Sequence, residues 1–366
     1  MKKLLSMLMV MVMMATVLTG CTNTDESKVD AGKESNVDAG KESNADDGKE
    51  SNADDGKESK AETLKVGYLC MNEEAEYHYK VLNGCKEAFT KAGYDFNYAV
   101  TGGDAAEARA AYDSFKSKGV NVIIDFTCSA TSAAALSDMC EADGIYYIAV
   151  DTFFDNLESN KFTTSFGVNN DMIGEFGGEN VVEWLKANGY DKVDYILETN
   201  KSAFGEAVRA RTKGVVDAVL NADFGLTQEN CYYMDITSGD QTENKQLIQD
   251  HLTSIADKYE TILLLVCSTE WQSAAIAAIE SANLEDKVLM FENDGAETSK
   301  AMLKKVAAGE YDKCPLKGEV AFFPEKYAEM LLPIAEKLIA GEKVDKYNYT
   351  LKGWLTADTI NEIYPD

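Results

Sequence analysis

From residue 63 onward, short continuous apolar runs alternate with longer stretches in which apolar residues recur every three or four positions. "LKVGYLC" (64–70) is a run of strand formers. The stretch 76–93 places Val81, Leu82, Cys85, Ala88 and Phe89 at helical spacing and ends on Gly93, a residue suited to the left-handed turn that stops a helix. Strands over 95–100, 120–126 and 145–151 then alternate with helices over 105–118 and 132–143. The alternation restarts with helix 170–189, strand 192–198, helix 202–222, strand 230–235, helix 242–257, strand 261–267, helix 273–283, strand 287–294 and helix 297–308. A last helix over 325–340 precedes a short extended tail containing "TLKGWLT". Strand, helix, strand at this pitch means right-handed crossovers and parallel sheets covered on both faces. The pattern predicts an α/β protein: two similar doubly wound parallel-sheet lobes in series.

In open parallel sheets, ligands bind beyond the carboxyl ends of the strands. Asn72, Asp125, Asp151, Glu198, Asp235, Ser268 and Asp294 each follow an apolar run. If the two sheets face each other edge to edge, these residues line one cleft, with Asp125, Asp151, Ser268 and Asp294 as candidate ligand contacts.

The first 62 residues follow different rules. Lys2 and Lys3 precede a tract, 4–18, that is apolar apart from Ser6 and Thr16, and then Thr19 and Gly20. That order predicts a secretory signal peptide over 1–20, too short in its apolar part to span a bilayer. In the segment 21–62, four octads beginning at Asp30, Asp38, Asp46 and Asp54 repeat the theme Asp-x-Gly-Lys-Glu-Ser. No aromatic and, beyond alanine, only Val29 and Val37 break its polarity, so it cannot offset the entropy of ordering. Its Asp-x-Gly steps lack the ligand spacing of an EF-hand loop. The expectation is a disordered spacer on the order of 35 Å in reach.

Charge and cysteine content narrow the chemistry. The net charge is −28, of which residues 22–62, with 13 acids and 6 lysines, carry only a part. An acidic surface of this kind argues against nucleic acid and against adsorption to anionic lipid. Beyond Cys21 the chain has Cys70, Cys85, Cys128, Cys140, Cys231, Cys267 and Cys314, an odd count without CxxC spacing. That fits neither a disulfide framework nor a zinc site, and no metal or cofactor is expected. Free thiols in an exported chain fit a reducing setting. HExxH, GxSxG and GxxxxGK[ST] motifs are absent, as is a cysteine–histidine pair at a strand end, so the reading is a binding protein and not an enzyme.

Several motifs converge on one family. "VLNGCKEAFTKAGYDF" (with Gly84 and Gly93-Tyr94), "IYYIAVDTFFDN", "GVNNDMIGEFGG", "EAVRARTKGVVDAV", "STEWQSAAIAAIESAN" and "MFENDGAE" resemble, in order, segments of the type I periplasmic sugar-binding proteins of ABC importers, the ribose and galactose group. The resemblance runs from Leu64 to about Leu351. It implies a three-segment hinge, with crossings near Gly167, Pro324 and Leu351. An N-lobe then comprises 63–167 plus 325–350, and a C-lobe 168–324 plus 351–366. Asp151, Arg211 and Asp294 match the family's hydroxyl-binding positions. Tyr77 and His78 match its stacking aromatics, and Trp271 on the second lobe is placed to close from the opposite side. Phe153 and Phe322 mark departures: Asp151 is followed by Thr152 and Phe153 where the family has Asp-Arg, Ser268-Thr269 replaces Asn-Asp, and Phe322-Phe323 replaces a polar residue at a crossing. Fewer amides and more aromatics imply a ligand bulkier or less hydroxylated than ribose.

"Leu-Thr-Gly-Cys" at 18–21 resembles a bacterial lipobox, which implies a diacylglycerol on Cys21 and anchoring at the extracytoplasmic face of the membrane. Taken together, the resemblance implies a monomeric, lipid-anchored protein that clamps a small polar ligand, a carbohydrate, and hands it to an ABC permease whose ATPase is a separate chain. A receptor subunit that presents its ligand to a membrane sensor kinase shares the architecture and is the alternative.

Overall fold

The computed structural model describes residues 63–154, 157 and 160–365. The signal peptide, Cys21 and the octad spacer lie outside the described residues.

The first lobe begins β1 (Lys65–Cys70), α1 (Glu76–Lys91), β2 (Asp95–Val100), α2 (Ala105–Ser117), β3 (Val122–Phe126), α3 (Ala130–Asp143), β4 (Tyr146–Val150) and β5 (Thr163–Gly167). The chain then crosses into α4 (Asn170–Ala187), β6 (Tyr195–Asn200), α5 (Glu206–Asn221), β7 (Cys231–Asp235), α6 (Gln241–Ile255), β8 (Ile262–Val266), α7 (Gln272–Ala282), β9 (Val288–Asp294), α8 (Glu297–Ala307) and β10 (Leu316–Ala321). It returns through a 3-10 turn (Pro324–Lys326) to α9 (Tyr327–Ile339) and β11 (Tyr347–Tyr349), and crosses again to β12 (Gly353–Leu355) and α10 (Ile360–Ile363). Two six-stranded sheets result, ordered β11-β5-β4-β3-β1-β2 and β12-β10-β9-β8-β6-β7. All strand pairs are parallel except β10 with β12.

Local sequence explains the pattern. β8 is five consecutive aliphatic residues, all buried, as a strand sandwiched between helix layers must be. Asp104, Asn169 and Asp240 cap α2, α4 and α6 by accepting from backbone N–H groups of the first turn. In the first lobe, alternate residues of each strand face opposite layers. Val122, Ile124 and Phe126 pack with α1 and α9, whereas Ile123 packs with α2 and α3.

Strands β5 and β10 are not evident from apolar periodicity. β5 reads Thr-Thr-Ser-Phe-Gly, and its polar side chains are buried because partners exist in the fold: Thr164 Oγ1 donates to Asp345 O at 2.6 Å and Thr163 Oγ1 pairs with Ser137 Oγ at 2.7 Å. β10 interleaves Lys317 and Glu319 with Gly318.

Three chain crossings meet at Thr350. Its N–H donates to Gly167 O (2.9 Å), and its hydroxyl to Phe322 O (2.8 Å), so one residue ties all three segments. Gly167 is confined there. It has φ +151°, and a Cβ on it would lie 2.1 Å from Asp151 Oδ1 and 2.7 Å from Asp151 N. Gly167→Ala is therefore expected to cost more than about 3 kcal/mol in stability, as buried backbone clashes do, measurable by denaturant unfolding. Full stability in that variant would show that the crossing relaxes freely.

The seven cysteines among the described residues are free thiols, five of them buried. Among the described residues no helix is long and apolar enough to cross a membrane.

Candidate functional site

The C-terminal ends of the two sheets meet at a narrow gap. Among the described residues, five non-glycine residues have positive φ, and four of them follow or end a strand: Cys128 (55°) after β3, Asp151 (51°) after β4, Asp294 (114°) at the end of β9 and Phe323 (54°) after β10. Non-glycine residues held there cost energy and concentrate where side chains must be aimed. Asp151 shows what the strain does. By strand alternation it would point, like Tyr147 and Ala149, into the α2/α3 layer. Instead its Oδ1 accepts from Val168 N at 2.8 Å and its Oδ2 from Tyr77 Oη at 3.0 Å. Tyr77, in the first turn of α1, also shares a hydrogen bond with Tyr327 Oη at 2.5 Å. Burial pushes the Asp151 carboxyl above its ordinary range, opposed by the Val168 N–H, Tyr77 and the Arg211 charge across the gap.

The second lobe supplies a matching acid. Asp294 Oδ1 accepts from Arg211 Nη1 at 3.2 Å, and its Oδ2 accepts from Thr269 N (2.9 Å) and Thr269 Oγ1 (3.2 Å). Arg211, on α5, also donates from Nε to Asn170 Oδ1 at 2.7 Å and lies over the Phe322 ring, 4.7 Å from its centroid. Such a guanidinium, held by an amide, a carboxylate and a ring face, has little freedom left. The helix that carries it is held tightly against α4: a Cβ on Gly174 would sit 2.1 Å from Ala210 O, and one on Gly214 2.3 Å from Gly174 C. Burial raises the Asp294 carboxyl pKa, with Arg211 the strongest opposing influence.

Between these groups is a cavity of about 50 Å³, lined by Glu76 and Tyr77 of the first lobe, Thr269 and the 294–296 segment of the second, and Pro324 of the crossing. That is far below the several hundred Å³ of small-molecule pockets. A cavity of that size is too small for a monosaccharide unless the lobes part. Chemically, two carboxylates retain lone pairs for hydroxyl donors, and one guanidinium offers a planar donor fork.

The candidates divide clearly. Tyr77, Asp151, Arg211, Asp294 and Phe322 are brought together at the gap, with Ser268 at the end of β8, where its hydroxyl accepts from Glu270 N at 3.3 Å. Two others, Asp125 and Trp271, are buried away from it. Asp125 is 2 % exposed, faces the α2/α3 layer and accepts from Tyr147 Oη and from Thr127 N. Trp271 is 1 % exposed in the second-lobe core, its indole N–H donating to Thr199 Oγ1 at 2.9 Å. Strand alternation sends the first inward, and the 3-10 turn opening α7 tucks the second under the sheet. His78 packs on Phe126, ring centroids 4.4 Å apart, and Phe153 lies against Tyr349 at 5.7 Å, 37 % exposed. Tyr327, Asn170 and Thr269 belong to the gap and carried no apolar signal. Their only mark in the sequence is position: each lies within three residues of a crossing or a strand end.

A family model described as a periplasmic binding protein domain matches residues 66–343. No curated protein sequence matches. Among solved structures, a galactofuranose-binding protein aligns with TM-score 0.64 at 19% identity, over 82% of this chain and 96% of its own. An ABC transporter solute-binding protein from Mycobacterium smegmatis with bound glycerol aligns at TM-score 0.65 and 18% identity, covering 83% and 98%. One from Bacillus halodurans with bound myo-inositol gives 0.63 and 19%, covering 83% and 98%. At such identities the likeness speaks for the fold. The extent of the family match, the two parallel-sheet lobes and the triple crossing together assign the chain: it belongs to the periplasmic binding protein family, with the type I fold.

Proposed function

We propose that this protein is a lipid-anchored, extracytoplasmic solute-binding protein that captures a small neutral carbohydrate or polyol between its lobes and presents it to an ABC permease. The observation that carries the ligand class is the charge balance of the gap. The single guanidinium there, Arg211, is already paired with Asp294, and Asp151 adds further acid, while Glu76 at the edge is paired with Lys80. A phosphorylated or carboxylated sugar would meet uncompensated negative charge. Hydroxyl donors suit the unused lone pairs of two carboxylates. The similar solved structures, a galactofuranose-binding protein and two solute-binding proteins with bound glycerol and myo-inositol, support a neutral polyhydroxylated guest. The domain limits that go with this reading are residues 63–167 with 325–350 for one lobe and 168–324 with 351–366 for the other, a division supported by the sheet to which each strand belongs.

A thermal-shift screen of the purified protein against neutral sugars, polyols, sugar phosphates and sugar acids tests the ligand class. A guest at 100 times its Kd adds about 2.7 kcal/mol. Hits are expected among neutral compounds only. Stabilisation by sugar phosphates alone would overturn the reading.

The anchor is a separate element of the proposal. Cys21→Ser is expected to leave the folded domain's Tm unchanged while abolishing incorporation of labelled palmitate and releasing the protein from the membrane fraction. Retention of the label by that variant would disprove lipidation at Cys21.

A further inference from the structure

At the edge of the ligand gap, the lobes touch through charge. Lys80, on α1, places its Nζ 2.8 Å from Glu76 Oε1 in its own helix and 2.6 Å from Glu297 Oε1 in the opposite lobe. Glu297 is the first residue of α8, whose N-cap, Ala296, has no side chain that can cap. The free Glu297 N–H is instead taken by Glu76 Oε1 of the other lobe at 3.1 Å, so the helix is capped across the gap. Glu297 also pairs with Lys300, and Lys300 lies 3.8 Å from Glu325 in the crossing segment. An alternating chain of charges thus runs from one lobe through the other to the hinge. Lys80 is three residues beyond Tyr77, and Glu297 three beyond Asp294, which ties the contact to the two loops that frame the gap.

We propose that Glu76, Lys80 and Glu297 form a ligand-independent latch that sets how often the ligand-free lobes are closed. This rests on the two-lobe clamp described above, but not on the identity of the guest. The decisive feature is what opening breaks. Parting the lobes severs Lys80–Glu297 and the Glu297 N–H to Glu76 bond, yet leaves Lys80 with Glu76 at i,i+4 and Glu297 with Lys300 at i,i+3. No charge is stranded in either state, so the contact releases readily. Glu76 and Glu297 side chains are 45% and 62% exposed, which limits the energy to that of surface pairs. The Glu297 carboxyl is held below its ordinary pKa, chiefly by the Lys80 hydrogen bond. A small closing bias of this kind multiplies the affinity for every guest by one factor, because affinity scales with the fraction of binding-competent protein. Lys80 and Glu297 act here as positioning residues.

The test uses Lys80→Met, Glu297→Gln and the double variant of the full protein. Small-angle X-ray scattering of ligand-free protein in 20 mM and 1 M salt is the first readout, and Kd for two different guests the second. The expected result is a larger ligand-free radius of gyration for each variant, no further increase in the double variant, and expansion of the wild type in high salt. Affinity falls about two- to fivefold for both guests, with their ratio unchanged. Ligand-free scattering that is identical in all proteins and insensitive to salt would overturn the latch. So would an affinity loss confined to one guest, which would make these residues ligand contacts. If no carbohydrate binds at all, the functional proposal fails, and the scattering alone still decides the latch. The variants' Tm values, expected within a few degrees of wild type, separate unlatching from misfolding.

Discussion

Asp294→Asn is expected to lower affinity for the guest by about 10- to 100-fold, roughly 1–3 kcal/mol, the cost of leaving a hydrogen-bonding partner unmatched. The carboxylate serves three donors at once, one from Arg211 and two from Thr269. An amide keeps the shape but presents N–H where one oxygen stood, so a hydroxyl donor or the guanidinium now faces another donor. The loss of charge also leaves Arg211, 14% exposed, without its counter-ion, and some stability goes with it. Isothermal titration calorimetry measures the first effect and thermal unfolding the second. Arg211→Lys is expected to weaken binding for a related reason: an ammonium cannot occupy the fork that reaches both Asn170 and Asp294 while lying over Phe322. Unchanged affinity in Asp294→Asn with an intact fold would place the guest elsewhere.

The second large effect concerns stability. Glu292 on β9 and Glu319 on β10 lie side by side in register, 2 % and 0 % exposed. Glu292 Oε1 accepts from Gln272 Nε2 and Ser299 Oγ, while both Glu319 oxygens have no other hydrogen-bond partner among the described residues. Burial raises both carboxyls, Glu292 to about 7 and Glu319 well above its usual value. The pair therefore keeps at least one proton between its carboxyl groups in the folded protein. A raised folded pKa means that the folded state holds protons more tightly than the unfolded one. The stabilisation is complete below the unfolded value near 4.3 and is lost as pH rises through about 7. Glu319→Gln removes one acid and supplies an amide N–H to the other. At pH 8 it is expected to raise Tm by about 2–6 °C and to flatten the decline in Tm between pH 5 and 8. A variant that destabilises equally at pH 5 and 8, leaving the slope intact, would show that the pair does not share a proton.

Much of the architecture can be read from residue order because parallel strands between two helix layers are uniformly apolar. β8 shows this plainly, as do the first halves of its neighbours, Tyr195–Leu197 of β6 and Val288–Phe291 of β9. Where burial is achieved by polar residues, as in β5, the signal vanishes: Thr163, Thr164 and Ser165 are buried only because partners distant in sequence satisfy them. The site divides on the same principle. Asp151 and Asp294 stand at strand ends and are turned by positive φ toward the gap. Asp125 also nears a strand end, yet regular alternation carries it into a helix layer. Spacing locates a strand end but not the backbone twist that aims the residue there. Trp271 illustrates a related limit, since an aromatic after a polar strand end can fold under the sheet as readily as over the gap. The role of Tyr327 is not legible in the sequence because its partners, Tyr77 and Phe166, come from far earlier in the chain.

The crystal structure of the protein with a carbohydrate identified by the thermal-shift screen tests the central claim most directly. One guest is expected between the lobes, with hydroxyl oxygens at about 2.7 Å from carboxylate oxygens of both Asp151 and Asp294. A guest bound to one lobe alone, or outside the gap between β4 and β9, would contradict the account.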